Sequence, residues 1–300
     1  MRSTSTGYRI FQTFNVTFLI LLTVSFLFPY LNALAIAFND PMNSRLGGLT
    51  IFPRVFSLLN FESLFMQEDI TRAAVISALR VVSGTVISLV ITFAAAYAFT
   101  KKGYKGRSAL LIFLILPMYL NGGLIPFYIL VNRIHIINTF WMYIIPSSFN
   151  FFNMVIIRVY INTNIPDSIE EAAKIDGAND ITVLLRIVLP LCAPIIATIC
   201  LFMAVYHWND WTTTLMFVSG RPQLATLQYK LMQVLKESET LNNAIMDSIK
   251  RGAYGGQTPA VTPESLQSAM VIATTLPIIV VYPFLQKYFL KGAVIGALKD

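Results

Sequence analysis

Six long apolar segments divide this chain, and each is long enough to cross a lipid bilayer as one helix. A membrane-spanning helix needs about 20 predominantly apolar residues. The hydrophobic residues make up 56% of the chain and the charged residues 12%, whereas soluble domains carry about 25% charged residues. The sequence therefore predicts an all-α integral membrane protein with a single transmembrane domain over residues 1–300. The predicted spans cover residues 10–37, 74–99, 109–131, 136–160, 181–206 and 269–290.

The orientation of these spans follows from Lys and Arg, which gather in short loops on the cytoplasmic side. With the N-terminus inside, a basic cluster of Lys101, Lys102, Lys105 and Arg107 lies on the inner side. Both termini, the loop 161–180 and the tail 291–300 are then predicted to be cytoplasmic. The segment 207–268 becomes an extracytoplasmic insertion, with a predicted amphipathic helix over 227–250. The net charge of +7 is explained by this bias, and no basic cluster interleaved with aromatics indicates a nucleic-acid partner.

The N-terminal segment raises the alternative of a cleaved signal peptide. Arg2 and Arg9 precede an apolar run that ends in NALA, which resembles a signal-peptidase site. The run is longer than a signal-peptide core of about 7–15 residues. We therefore favour a retained first membrane helix.

A polar stretch, IPDSIEEAAKIDGAND over residues 165–180, interrupts the apolar segments. Ser168 and Glu171 have the spacing of a capping box, which predicts a helix start near Ser168. Gly177 is a typical helix stop, and Asp180 is a candidate N-cap for the next helix. A helix this short is marginal alone and gains stability by docking onto another surface, although an ordinary solvated connector remains the alternative.

The stretch fits the pattern EAA-x3-G-x9-I-x-LP, and in this respect it resembles the signature loop of permease subunits in bacterial ABC importers. The matching residues are Glu171, Ala172, Ala173, Gly177, Ile187, Leu189 and Pro190. Three further stretches, AAAYAFTKKGYKGR, YHWNDW and QKYFLKGAVIGALKD, resemble the MalG-like carbohydrate branch of that family. The long 207–268 insertion is similar to the Gram-positive subgroup typified by the lipoprotein-operon permease of Bacillus.

The resemblance implies the type I ABC importer permease fold, with six transmembrane helices and a cytoplasmic coupling helix between spans 4 and 5. It also implies a bacterial plasma-membrane location, a homologous second permease, two cytoplasmic ATPase subunits, an extracytoplasmic substrate-binding lipoprotein and an oligosaccharide substrate. The partner ATPase would use ATP and Mg, and no cofactor would bind this chain. The ATPase-coupling residues implied in this way are Glu170, Glu171, Ala172, Ala173, Asp176 and Gly177.

Candidate substrate contacts are amide and aromatic residues at the ends of the predicted spans. Asn side chains are costly in lipid, so they are expected to face the protein interior or a cavity. Alternatively, the aromatic residues form belts at the membrane interface, and the Asn side chains form hydrogen bonds between helices. Arg80, inside the second span, is expected to pair or snorkel. The candidate pathway residues are Tyr119, Asn121, Asn150, Asn153, Tyr206, Trp208 and Asn209.

The sequence carries no motif for catalysis. No P-loop occurs, since the GK dipeptide is absent, and His135 and His207 have no clustered Cys or second His nearby. We therefore predict a non-catalytic permease subunit for oligosaccharides or related glycans. The alternatives are an ABC permease for peptides or amino acids, and a self-sufficient secondary transporter, which the lack of Asp and Glu inside the spans disfavours.

Overall fold

The computed structural model describes residues 6–44, 46–66, 68–120, 122–250 and 262–297. These residues form helices joined by short turns, and no strand occurs among them. The predicted all-α class is therefore confirmed. The α-helices are α1 (Thr6–Ala37), α2 (Pro41–Ser44), α3 (Leu59–Phe65), α4 (Glu68–Ala98), α5 (Arg107–Tyr119), α6 (Leu124–Arg133), α7 (Phe151–Asn164), α8 (Asp167–Ile175), α9 (Asp180–Val183), α10 (Leu189–Leu191), α11 (Ala193–Asn209), α12 (Thr212–Phe217), α13 (Leu227–Lys250) and α14 (Pro263–Ala297).

Three uninterrupted helices in the described part of the chain are long and apolar enough to cross a membrane. They cover Gly7–Ala37, Glu68–Ala98 and Pro263–Val281. Three further candidates are pairs of helices, each interrupted by a short break. Up to six spans result if each pair counts as one.

The segment predicted as a fifth span, 181–206, is sharply bent rather than straight. The helical segments Asp180–Leu191 and Ala193–Asn209 meet at 82° around Cys192. Pro190 and Pro194 flank this bend, and a proline removes one backbone hydrogen bond of a helix and clashes with the preceding turn. A π-helical turn, Leu184–Val188, comes just before Pro190.

The segments predicted as the third and fourth spans are also interrupted. Residues 109–131 contain most of α5 and most of α6, and Gly123 between them has a φ of +82°, which suits a residue without a Cβ. In 136–160, two 3₁₀ turns, Phe140–Tyr143 and Ile145–Ser147, precede α7 at an angle of 48°. Pro146 lies in the second turn, and the Asn150 side chain caps α7.

The predicted amphipathic helix of the insertion coincides with α13, Leu227–Lys250. The last long helix, α14, begins at Pro263, earlier than the start of the predicted span at 269. Residues 251–261 of the insertion and 298–300 of the tail lie outside the described residues.

The chain divides into two compact units, each taking described residues from two stretches. The first draws on Met1–Ile70 and Leu231–Leu276. Within it, buried amides fix the loop after α1: Asn39 Oδ1 accepts from the backbone N–H groups of Arg54 and Val55 at 2.8 and 2.9 Å. Asn60 Nδ2 donates to the carbonyls of Ala37 and Asn39 at 3.0 and 2.9 Å. The bond to Ala37 satisfies a carbonyl at the end of α1 that the helix leaves unpaired, and the others satisfy backbone groups of the loop.

The second unit draws on Thr71–Lys230 and Pro277–Asp300 and contains both candidate sites. One buried cluster joins α4, α7 and α9–α11 through residues such as Phe93, Ile157 and Ile199. A second cluster joins α6, the 3₁₀ turns and α12. The polar groups of this unit lie beside these two apolar clusters.

Candidate functional site

Helix α8 occupies the polar stretch between α7 and α9. It begins at Asp167, directly after Pro166, and no side chain caps its N-terminus. The expected capping box of Ser168 and Glu171 is therefore wrong, because the chain enters the helix one residue earlier and Ser168 lies in the first turn. The N-cap of α9 is Asn179, whose side chain accepts from the Thr182 N–H, rather than the expected Asp180.

The C-terminus of α8 ends as the sequence predicts. Gly177 has a φ of +85°, the left-handed conformation in which a side chain is strained. Its N–H donates to the Lys174 carbonyl at 3.0 Å, and the Ala178 N–H donates to the Ala173 carbonyl at 2.9 Å. This pair of bonds is a Schellman motif, which satisfies the last carbonyls of the helix.

Two lysines at the end of α4 hold α8 through its acidic side chains. Lys101 forms an ion pair with Glu170 and also donates to the Tyr97 hydroxyl at 2.6 Å, with its Nζ 3.8 Å from the Tyr97 ring centroid. Lys102 forms a second ion pair with Asp167 at 2.5 Å. The first pair is largely buried, whereas the second is 83% and 68% exposed and is screened by solvent, so it contributes little.

The charges of this loop are stabilised by their partners. Burial alone would lower the pKa of Lys101, but its hydrogen bonds to Glu170 and Tyr97 outweigh burial and raise that pKa. The hydrogen bond to Lys102 lowers the pKa of Asp167. Lys174, 3.0 Å from Asp180 across the glycine turn, lowers the pKa of Asp180 in the same way. The loop therefore keeps its ion pairs at neutral pH.

The remaining coupling candidates lie on different sides of α8. Ala173 is half-buried and packs against the core, while Glu171, Ala172 and Asp176 are exposed. The sequence grouping missed Ile175, which is 86% exposed beside Ala172 and Glu171 at helical spacings of three and four residues. The signal available in the sequence was a large apolar residue at the end of a short polar helix.

A polar cavity of about 330 Å³ lies elsewhere in the same unit, between α4, the 3₁₀ turns, α7 and α11. It brings together three predicted pathway residues, Asn150, Asn153 and Tyr206. Three other polar residues that the sequence does not single out also line it, namely Ser88, Ser147 and His207. His207 is only 2% exposed, and its Nδ1 has no hydrogen-bond partner in the described structure.

The other predicted pathway residues do not line this cavity. Tyr119 is exposed at the end of α5. Trp208 is half-buried and Asn209 exposed on α11, next to the cavity residues in sequence but not among its lining. Asn121 lies outside the described residues. The structure therefore gathers only part of the predicted set.

Arg80 is paired, as expected, and its partner is Asp210. Its guanidinium donates to the Asp210 carboxylate and, at 2.8 Å, to the Asp210 backbone carbonyl, and it stacks 4.5 Å from the Tyr143 ring centroid. The hydroxyls of Thr212 and Thr213 donate to the same carboxylate at 2.7 and 2.5 Å. The Arg80 side chain is 1% exposed, so removing its partner would leave a buried charge at a cost of about 3–5 kcal/mol.

The chain combines apolar helices, a polar helix held by ion pairs and a polar cavity. This combination is typical of a membrane permease subunit. The chain belongs to the family of inner membrane components of binding-protein-dependent transport systems, which matches residues 87–294. Members of this family are non-catalytic membrane subunits of ABC transporters. No group of three or more potential metal ligands occurs among the described residues.

Relatives from Bacillus subtilis strain 168 match nearly the whole chain. Protein LplC is 35% identical over 302 residues, which covers 100% of this chain and 98% of LplC. The polygalacturonan/rhamnogalacturonan transport system permease protein YtcP is 29% identical over 97% of this chain and 99% of its own. The melibiose/raffinose/stachyose import permease protein MelC is 27% identical over 83% of each. The resemblance read from the sequence is thereby confirmed.

A solved structure with the same fold covers 96% of this chain and 100% of its own. It is a crystal structure of a bacterial ABC transporter involved in the import of the acidic polysaccharide alginate, with a TM-score of 0.84 and 24% sequence identity. This likeness confirms the permease fold.

Proposed function

We propose that this chain is a transmembrane permease subunit of an ATP-driven importer of oligosaccharides or related glycans. The similarity to YtcP, a polygalacturonan/rhamnogalacturonan transport system permease, and to MelC, a melibiose/raffinose/stachyose import permease, supports this substrate class. The three uninterrupted helices and three bent pairs would cross the plasma membrane, with both termini in the cytoplasm. The chain would form half of the translocation pathway, beside a homologous permease.

Helix α8 is the element that would couple this pathway to the ATPase. The observation that carries the proposal is its two-sided construction. Glu170 and Ala173 bind it to the rest of the unit, while Glu171, Ala172 and Ile175 project outward. The exposed side combines an acid, a small residue and a large apolar residue, which is suited to docking in a cleft of another protein.

Two cytoplasmic ATPase subunits would bind and hydrolyse ATP with Mg, and an extracytoplasmic binding lipoprotein would deliver the glycan. Closure of the ATPases would move α8, and the ion pair of Glu170 with Lys101 would pass that motion to the end of α4. Because α4 is one continuous helix, its displacement would reach the cavity side of the unit. These steps amount to alternating access that is driven by ATP hydrolysis in the partner subunits.

The test of this proposal reverses one exposed charge on α8. We expect Glu171→Lys to lower glycan-stimulated ATPase activity of the assembled transporter by about tenfold or more, because losing one partner of an interfacial charge pair costs about 2–5 kcal/mol. The matched control is Glu237→Lys, the same charge change at an exposed site on α13. Membrane insertion of both variants is measured in parallel.

Equal coupling in Glu171→Lys and the Glu237→Lys control would contradict a docking role for this face of α8. Ile175→Asp provides an independent check, since an added charge at the centre of an apolar contact should also uncouple hydrolysis from uptake. Loss of uptake with normal ATPase stimulation would place the defect beyond the coupling step.

A further inference from the structure

The polar cavity beside α7 and α11 has the composition of a ligand subsite rather than of a packing defect. Its volume of about 330 Å³ is at the lower end of the range of about 300–1,000 Å³ for small-molecule sites. We propose, on the basis of the glycan-importer function, that this cavity holds one uncharged glycosyl unit and that His207 binds one of its hydroxyl groups.

His207 is the first reason. Its imidazole hydrogen-bonds to the Gly84 backbone, and the ring edge carrying Nε2 lies against this glycine. A neutral imidazole that donates through Nε2 has an acceptor at Nδ1. That Nδ1 is buried and unpartnered, and leaving a buried polar atom unsatisfied costs about 1–3 kcal/mol. A ligand that donates a hydrogen bond would satisfy it.

The amides and aromatic rings of the cavity supply the rest of a sugar site. Asn150 uses its Oδ1 to cap α7 by accepting from the Asn153 N–H at 2.9 Å, which leaves its amide N–H groups as donors. Asn153 is buried, and the described structure shows no hydrogen bond of its side-chain amide. Tyr206 and Phe202 offer exposed ring surface. The apolar face of a pyranose can pack on such a ring while its hydroxyls bind the amides.

The charge of the cavity decides between a neutral and an acidic sugar. None of its lining residues is Lys, Arg, Asp or Glu. The buried Arg80 is already neutralised by Asp210. A uronate carboxylate would therefore enter without a counter-charge, which is costly for a buried ion. The hydroxyls of a neutral sugar can donate to Nδ1 without bringing a charge into the cavity.

The test is saturation-transfer NMR on the transporter purified from its native membrane through a tag on this chain. The probes are methyl glucoside, methyl galactoside and methyl mannoside, compared with glucuronate and galacturonate at equal concentration. We expect at least one neutral methyl glycoside to bind. His207→Phe and Asn153→Ala should each weaken that binding by about threefold to tenfold, the loss expected for one hydrogen bond, and His207→Gln should retain more of it.

The control is Asn164→Ala, an exposed amide at the other end of α7, which should leave probe binding unchanged. The proposal is overturned if no neutral glycoside binds in a manner sensitive to Asn153→Ala and His207→Phe, or if the uronates compete equally at this site. Glu171-dependent ATPase coupling in the same preparation would show that the importer function stands even when the subsite fails.

Discussion

Gly84 in α4 has no Cβ, and this allows the His207 ring to lie directly against the helix. An alanine Cβ at Gly84 would lie 2.5 Å from His207 Cε1 and 2.8 Å from its Cδ2, distances that real contacts do not reach. In an exposed helix interior, replacing glycine with alanine stabilises by about 0.5–1 kcal/mol. Here the ring is buried and hydrogen-bonds to the Gly84 backbone, so moving it away would break that bond, and overpacking costs about 1–3 kcal/mol. The steric effect therefore exceeds the helix effect.

We accordingly predict that Gly84→Ala destabilises the protein, against the usual trend for a helical glycine. The measurement is the thermal unfolding midpoint of the purified protein in lipid nanodiscs. The control is the double variant Gly84→Ala with His207→Ala, in which the clash is absent and the alanine should cost no additional stability relative to His207→Ala alone. A raised midpoint for Gly84→Ala with His207 in place would contradict the close contact.

At the scale of single elements, α8 is joined to the segment after α4 by the ion pair of Lys101 with Glu170, whose side chains are 26% and 19% exposed. A nine-residue helix is marginal in water on its own. Hydrogen bonds to charged groups contribute about 1.5–3 kcal/mol when they are partly desolvated, so Lys101 should matter more than the exposed Lys102. Substitutions of the two adjacent lysines can therefore be compared directly, with Lys102 as the control for Lys101.

We predict that Lys101→Gln accelerates hydrogen exchange of the α8 amides by about tenfold, since about 1.4 kcal/mol corresponds to a factor of ten in an opening equilibrium. Lys102→Gln should change the same rates by less than about threefold. The exchanged pair Lys101→Glu with Glu170→Lys should restore much of the protection. Equal effects of the two Gln variants would show that the buried pair does not anchor the helix.

The elements that could be predicted from the sequence are those with local signals. The ends of α8 lie within a residue or two of the prediction, because Pro166 and Gly177 limit where that helix can run. Helix α13 could be predicted from the amphipathic pattern of its sequence. The breaks near Gly123, before Asn150 and at Cys192 were missed. Hydropathy averages over about 20 residues, and proline in a membrane helix does not by itself predict a bend of 82°.

The sites were predictable only where chemistry is visible in a short window. Asn150 and Asn153 stand out as amides in an apolar run. His207 was dismissed because it is isolated in sequence, although the fold places it against Gly84 and beside both amides. The contact of Lys101 with Glu170 joins residues far apart in the chain, so one sequence without tertiary information cannot show that Glu170 is held inside its own subunit.

At the scale of the whole molecule, the position of α8 requires a defined orientation in the membrane. An ATPase in the cytoplasm can reach this helix only if the loop 161–180 is cytoplasmic. The ion pair of Lys101 with Glu170 places that loop beside the basic segment that follows α4. Lys and Arg in short loops favour the inner side, so the charge bias supports a cytoplasmic location for both segments. In this proposed orientation, the turn between α12 and α13 would lie outside.

We predict that a membrane-impermeant maleimide labels Arg221→Cys in intact cells but labels Lys102→Cys and Ile175→Cys only after permeabilisation. All three side chains are exposed in the chain on its own. The chain is expressed without the ATPase, so that no partner covers Ile175 and only accessibility across the membrane decides the outcome. The native Cys192 and Cys200 are replaced by alanine in the background, since both carry free thiols. Labelling of Ile175→Cys from outside in intact cells would show the opposite orientation, in which no cytoplasmic ATPase could reach α8.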